Sequence, residues 1–343
     1  MRNIIVSLLL FVATVLTAQE VQVDQQYICP PCNSTCDTST YSKPGVCSHC
    51  NMVLVRKDLS KTIAFYLQDG VEVLDFAGPM EVFAYSGYEV FTVSEHKKPI
   101  QSQGILTVLP DYSIEDAPKA DILAFFGGNA QKAYKNPKVV EWVQKQTNIQ
   151  YHFSVCTGAF ALAEAGILDG QVATTFHNAL QGLRENYPKV DVRSNVRFVD
   201  NGNVITTAGI SAGIDGALHL VAKLQGINAA KRTAYYMEYD NWGMDNGLVL
   251  SGDNPYTERI SIEDLKTYTG SYQYKNEATL SLELDSKGQL YAMVDNTVYP
   301  IYYESEDLFS DVGGEPVFFK RNSTGKIIGY ALTSEGKLFR KLE

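Results

Sequence analysis

A chain of 343 residues, 45% hydrophobic and 20% charged, is globular in composition and long enough for two or three domains. Its formal net charge of −10, with no Lys/Arg-rich run, argues against a nucleic-acid surface. Beyond the amino-terminal stretch, no segment is apolar for long enough to span a bilayer.

The chain opens MRNIIVSLLLFVATVLTAQE: one positive charge, an apolar run from Ile4 to Leu16, then Thr17-Ala18-Gln19. This predicts a secretory signal peptide over residues 1–18, cleaved after Ala18. The mature protein is then exported, periplasmic or secreted, with no membrane span once the signal is removed. An uncleaved anchor is the alternative.

Residues 27–56 hold five of the six cysteines, with Pro30, Pro31, Pro44 and Gly45 breaking regular structure. Cys29 and Cys32 form one C-x-x-C pair and Cys47 and Cys50 another, with fourteen residues between the pairs. Four thiolates at that spacing suit tetrahedral zinc or another soft metal. Disulfides are the alternative for an exported protein, although five is an odd number.

Residues 61–250 alternate short apolar runs with helical patterns, which predicts an α/β domain with a doubly wound parallel sheet. KTIAFYL reads as its first strand and AGPMEVFAYS as the start of the helix after it. The connecting loop brings Asp69, Glu72, Asp75 and Glu81, with Asp75 just ahead of the helix as an N-cap or a functional acid. YEVFTVS and ADILAFFGG read as strands; the second ends in Gly127 and Gly128, whose backbone N–H groups could approach a bound substrate. NPKVVEWVQKQ reads as a helix entered through Pro137, and YHFSV and NVITTAG as later strands. In SAGIDGALHLVAKLQG, Ile214, Ala217, Leu218, Val221 and Leu224 share one helix face, with Ser211 to cap its start and Gly226 to end it. Ligands of such sheets sit at the carboxyl ends of the strands.

Cys156, the one thiol outside the cluster, falls where YHFSV gives way to a helix. Ser154 and Gly158 flank it at minus two and plus two, small enough for the sharp strand-to-helix turn of a nucleophile elbow. A helix N-terminus there would stabilise a thiolate, so the expected pKa lies below the ordinary value of about 8.5. His219, inside the amphipathic helix, reads as structural. His96 and His152 carry no signal. Residues 258–343 lack long helical patterns; alternating Leu280, Leu282 and Leu284, then turns at DSKG and NSTG, predict an antiparallel β domain.

Three ordered motifs, DGVEVLDFAGPMEVF, SVCTGAFALAEAGILDGQVATT and TTAGISAGIDGALHLVAKLQG, resemble those of the ThiJ/PfpI superfamily, in its isonitrile hydratase-like branch. The resemblance implies a flavodoxin-like sandwich, commonly a homodimer, with a catalytic set of Cys156, Asp75 and Thr157. Gly127, Gly128 and His177 are the substrate or oxyanion candidates; Phe176 stands where many relatives carry a histidine. The regulator branch carries a helix-turn-helix module after this core, where this chain offers strands. The cysteine segment is similar to a small heavy-metal-binding module in which a histidine often takes the place of Cys32, leaving Cys36 and His49 as substitute ligands. YTGSYQ and the following hairpins resemble a lipocalin-like module appended to secreted hydrolases, which implies substrate shaping or partner contact.

The combined expectation is an exported cysteine enzyme acting on a small carbon–nitrogen compound, with Cys156 as nucleophile, Asp75 moving protons and no cofactor at that site. A non-catalytic redox- or metal-sensing protein and a deglycase- or amidase-like hydrolase are the alternatives.

Overall fold

A computed structural model describes residues 25–240, 242–257 and 260–342; the expected signal peptide lies outside them. Residues 27–56 form three two-residue strands, Tyr27–Ile28, Thr40–Tyr41 and Val55–Arg56, paired antiparallel with the first in the middle. Leu54 is buried with Cys29, Cys36 and Cys47 in a cluster too small to bury much apolar surface.

The α/β unit is built on β1 (Thr62–Tyr66), α1 (Val73–Tyr85), β2 (Glu89–Ser94), β3 (Tyr112–Ser113), β4 (Ile122–Phe125), α2 (Pro137–Lys145), β5 (Tyr151–Val155) and α3 (Ala159–Glu164). It continues through β6 (Phe198–Asp200), β7 (Val204–Thr207), α4 (Ala212–Gln225), α5 (Ile227–Tyr236) and β8 (Gly247–Val249). The sheet runs β8-β6-β7-β5-β4-β1-β2-β3. Helices cover both faces, so its strands are apolar on both sides. Ile63 and Phe65 of β1 join Phe126 and Phe153 against α1 and α4, while Ala64 and Tyr66 join Phe125, Val139 and Phe160 on the other face.

This is the flavodoxin-like α/β fold, with three departures from expectation. The sheet is mixed: β6 runs antiparallel to β7, and β8 parallels β6. Helix α1 starts at Val73, which puts Asp75 inside its first turn and not at its cap. Ser211 makes no capping bond to α4, because its hydroxyl accepts from Arg197 Nη2 (3.1 Å). Gly226 does end α4, at φ +91°.

The carboxyl-terminal residues form an antiparallel meander: β9 (Gly270–Gln273), β10 (Thr279–Leu284), β11 (Leu290–Val294), β12 (Thr297–Ser305), β13 (Leu308–Ser310), β14 (Pro316–Arg321), β15 (Ile327–Ala331) and β16 (Phe339–Arg340). A bridge between Tyr272 and Lys341, and Leu342 N–H donating to Ser271 O (2.8 Å), join its two ends into a barrel. It docks on α5 through Asn228 Nδ2 to Tyr303 O (2.6 Å) and Arg232 Nη1 to Ser310 Oγ (2.9 Å).

Candidate active site and cysteine cluster

The chain runs from β1 through β2 to β3 on one side, then crosses to β4 on the other, so the switch point lies between β1 and β4. Segments after β1, β4, β5 and β7 meet at the carboxyl ends of these strands.

Cys156 follows β5 with φ +58°, a left-handed conformation that costs a non-glycine residue energy and needs support. Its N–H donates to Ala208 O (3.0 Å), and its carbonyl accepts from Thr175 Oγ1 (2.6 Å). Gly158 completes the turn: a Cβ there would lie 2.3 Å from Phe125 O. The elbow expected from Ser154 and Gly158 therefore forms, and Thr175 is a support that the sequence reading missed.

Asp75 reaches the same point from α1 and is fully buried. Its Oδ2 accepts from Gly127 N–H (2.8 Å) and its Oδ1 from Ile210 N–H (2.9 Å). The carboxyl also lies beside the Cys156 thiol, close enough for each to shift the other's proton affinity. Burial raises the Asp75 pKa to about 6, against the lowering effect of the two N–H donors. Burial, then the Asp75 charge, pushes the Cys156 thiol up to about 12. This corrects the expected depressed thiol: the backbone N–H and hydroxyl of Thr157 do favour the thiolate, but burial and a neighbouring carboxylate outweigh them.

Among the other candidates, Thr157 stands beside the sulfur, and its buried Oγ1 has no well-formed hydrogen bond among the described residues. Gly127 has a different job from the one expected, since its N–H is committed to Asp75. A Cβ at Gly127 would lie 2.7 Å from Asp75 Oδ2 and from both Cβ and Sγ of Cys156, so only glycine lets the three meet. Gly128, at φ +79°, lets two loops touch; a Cβ there would be 2.3 Å from Gly70 O. His177 is exposed in a short 3-10 turn, its ring against Phe176 (4.2 Å). Phe176 packs against Gly209, so the histidine that the resemblance would put at this position is replaced by an apolar ring.

Two further residues went unread. Gln68 Nε2 donates to Phe126 O (3.1 Å) and Gly127 O (2.9 Å), fixing the glycine loop. Ile210 aims its N–H at Asp75 from φ +57°, a conformation rare for a β-branched residue and invisible in the letters of TTAGISAG.

His219 lies in a separate buried network. It bonds Asp200 Oδ2 (2.9 Å) and Tyr256 OH (2.7 Å), and Asp200 also accepts from Lys223 Nζ (2.9 Å). These buried charges satisfy one another and tie α4 to β6, a structural role.

In the amino-terminal module, Cys29, Cys36, Cys47 and Cys50 bring their sulfurs within 4.8 Å of one another. Cys36 thus replaces Cys32 in the expected set. Asp37 explains the exchange: its carboxylate accepts from the backbone N–H of Cys32 (3.1 Å) and Asn33 (3.0 Å) and from the Cys32 thiol (3.1 Å), drawing Cys32 outward. A second arrangement combines Cys29, Cys32, Cys36 and Asp37. The Tyr41 hydroxyl, then the N–H groups of Cys50 and His49, lower the Cys47 pKa to about 6. All six cysteines are unpaired thiols. Four converging sulfurs, one favoured as thiolate, fit a tetrahedral soft metal.

Comparison with known proteins follows this division. The DJ-1/PfpI family profile matches residues 61–223. Isonitrile hydratase of Pseudomonas putida is 33% identical over 180 residues, 52% of this chain and 78% of that protein. The HTH-type transcriptional regulator CdhR of Pseudomonas aeruginosa is 30% identical over 175 residues, and this chain spans only 52% of its length. The crystal structure of a ThiJ/PfpI family protein from Pseudomonas syringae has a TM-score of 0.50 at 26% identity, covering 55% of this chain and 81% of that one.

Proposed function

The chain belongs to the DJ-1/PfpI family, and from that premise we propose that its α/β unit is a cysteine-dependent hydratase of small carbon–nitrogen compounds, with isonitriles as the substrate class. The observation that carries this reading is the buried pair: a carboxyl held by two backbone N–H groups and set beside a thiol at a strained elbow, where only glycine at position 127 lets them meet. The Thr157 hydroxyl beside it makes no well-formed hydrogen bond among the described residues and can turn from the sulfur to a polar substrate atom.

A protonated thiol suits this chemistry. The terminal carbon of an isonitrile, R–NC, takes both a nucleophile and a proton. Cys156 S–H adds across it: sulfur bonds to carbon, and the thiol proton reaches the same carbon through Asp75, giving R–N=CH–S–Cys156. Water then attacks that carbon while Asp75 takes its proton and returns it to nitrogen, with the Thr157 hydroxyl oriented toward the nitrogen. Collapse of the tetrahedral adduct passes the hydroxyl proton back to sulfur and releases R–NH–CHO. The sum is R–NC + H2O → R–NH–CHO, with no change of oxidation state.

The same proposal takes the protein as exported, on its signal-like first eighteen residues, and as a homodimer, on its family. It places zinc on Cys29, Cys36, Cys47 and Cys50, where the metal would supply a cross-link that the small module lacks. Proton NMR of the mature protein with a panel of alkyl isonitriles tests the hydratase reading. N-substituted formamide should form with wild type and not with Cys156→Ala. No turnover across the panel, with Cys156 oxidised stoichiometrically by peroxide, would favour a redox sensor.

A further inference from the structure

The carboxyl-terminal barrel has two unlike ends. One is sealed: Tyr268 OH donates to Asp307 Oδ1 (2.9 Å), Arg321 Nε to Asp307 Oδ2 (2.8 Å) and Arg321 Nη2 to Tyr268 OH (3.0 Å). Above this seal the rings of Tyr268, Phe309 and Phe319 pack edge to face and fill that end of the barrel.

The other end holds a cavity of about 510 Å³. Side chains alternate along a strand, so residues two apart share the inner face. Leu282 of β10, Ala292 and Val294 of β11, Ile301 of β12, Phe319 of β14 and Tyr330 of β15 line the cavity in that register. The small side chain of Ala292 leaves space that its neighbours do not fill. At the lip, Tyr299 and Leu332 keep 39% and 36% of their surface in solvent. The charged lining residues are Asp295, Asp311, Glu315 and Lys275. None of the three carboxylates has an ion-pair partner among the described residues; Asp311 Oδ1 accepts from the N–H groups of Gly313 and Glu315 (both 2.9 Å), and the Glu315 carboxylate lies near Gly45. Lys275 turns its ammonium over the neighbouring Tyr274 ring, 5.9 Å from the centroid.

We propose that this cup binds a small amphipathic cation, its alkyl or aryl body inside the barrel and its ammonium group among the lip carboxylates. The volume is that of a small-molecule pocket, and a wall without charge selects an apolar body. Three carboxylates against one lysine, on a chain of net charge −10, favour a cationic head and repel a fatty acid. The site stands apart from the Cys156 centre and does not depend on the hydratase reading.

The test uses the full mature protein with N-phenyl-1-naphthylamine as fluorescent reporter, displaced by decylamine, decanol or decanoate. The reporter should bind saturably, and decylamine should compete about tenfold better than decanoate. Ala292→Trp, or Val294→Trp nearer the lip, should weaken reporter binding by about tenfold with the melting temperature retained. Asp295→Asn combined with Glu315→Gln should erase most of the amine preference and leave decanol unchanged. Non-saturable reporter binding, equal competition by decanoate, or wild-type binding by a folded Trp variant would overturn the proposal. If both Trp variants misfold, the lip variants decide.

Discussion

The raised proton affinity of Cys156 sets a rate that can be measured without any substrate. Alkylation by iodoacetamide requires the thiolate. A thiol of pKa 9.0, near the ordinary value, is about one-tenth ionised at pH 8, whereas one pushed up to about 12 is ionised to about one part in ten thousand. Cys156 should therefore react about a thousandfold more slowly at pH 8 than an unperturbed thiol, and its rate should climb about tenfold per pH unit through pH 10. Asp75→Asn removes the second largest cause of the shift and leaves burial, the largest. Its Cys156 should alkylate faster than wild type by about tenfold and still more slowly than a free thiol. Carbamidomethylation of the Cys156 peptide, followed by mass spectrometry at several pH values, separates this thiol from the five cluster cysteines. A wild-type midpoint at or below about 8.5 would refute the reasoning, as would slower labelling in Asp75→Asn.

The Asp75 shift also carries a pH signature: as the base of the hydration step it must be ionised, so turnover should fall as pH drops through about 6. For stability the sign is opposite. A folded pKa above the ordinary 3.8 favours folding most below that value, and this contribution is lost as pH rises through about 6. Gly127→Ala should abolish most turnover, by about a hundredfold, with secondary structure retained, because the new Cβ occupies the space where acid and thiol meet. In the amino-terminal module, Cys36→Ser should lose bound zinc while Cys32→Ser keeps about one equivalent, measured by elemental analysis. Equal loss in both variants would contradict the four-sulfur assignment.

Much of this architecture was legible because local chemistry and tertiary structure agree. Apolar runs such as KTIAFYL need no alternation when both faces of a sheet are covered, and Ser154 and Gly158 announce a tight turn wherever it is placed. Illegible features depend on contacts across long stretches of chain. Ile210 adopts a left-handed conformation because its N–H serves a carboxylate 135 residues away. Cys36 displaces Cys32 because Asp37 captures the Cys32 turn, and a C-x-x-C spacing shows ligands but not the competing acceptor. The thiol pKa went astray for the same reason: a helix start is visible in sequence, while burial depth and the charge of Asp75 are not. Hairpin turns at DSKG and NSTG were readable, but the meeting of Tyr272 with Lys341 that makes the meander a barrel was not.

Trapping the covalent intermediate tests the central claim most directly. Wild type, mixed with excess alkyl isonitrile and acid-quenched within milliseconds to seconds, should hold part of its Cys156 as R–N=CH–S–Cys156, whereas Asp75→Asn, which lacks the group that carries the thiol proton to carbon, should form less. Peptide mass spectrometry should then show the wild-type Cys156 peptide heavier by the whole mass of the isonitrile, with Asp75→Asn showing less adduct and less formamide. Formamide produced by Cys156→Ala, or an adduct confined to the cluster cysteines, would contradict the assignment of Cys156 as the nucleophile.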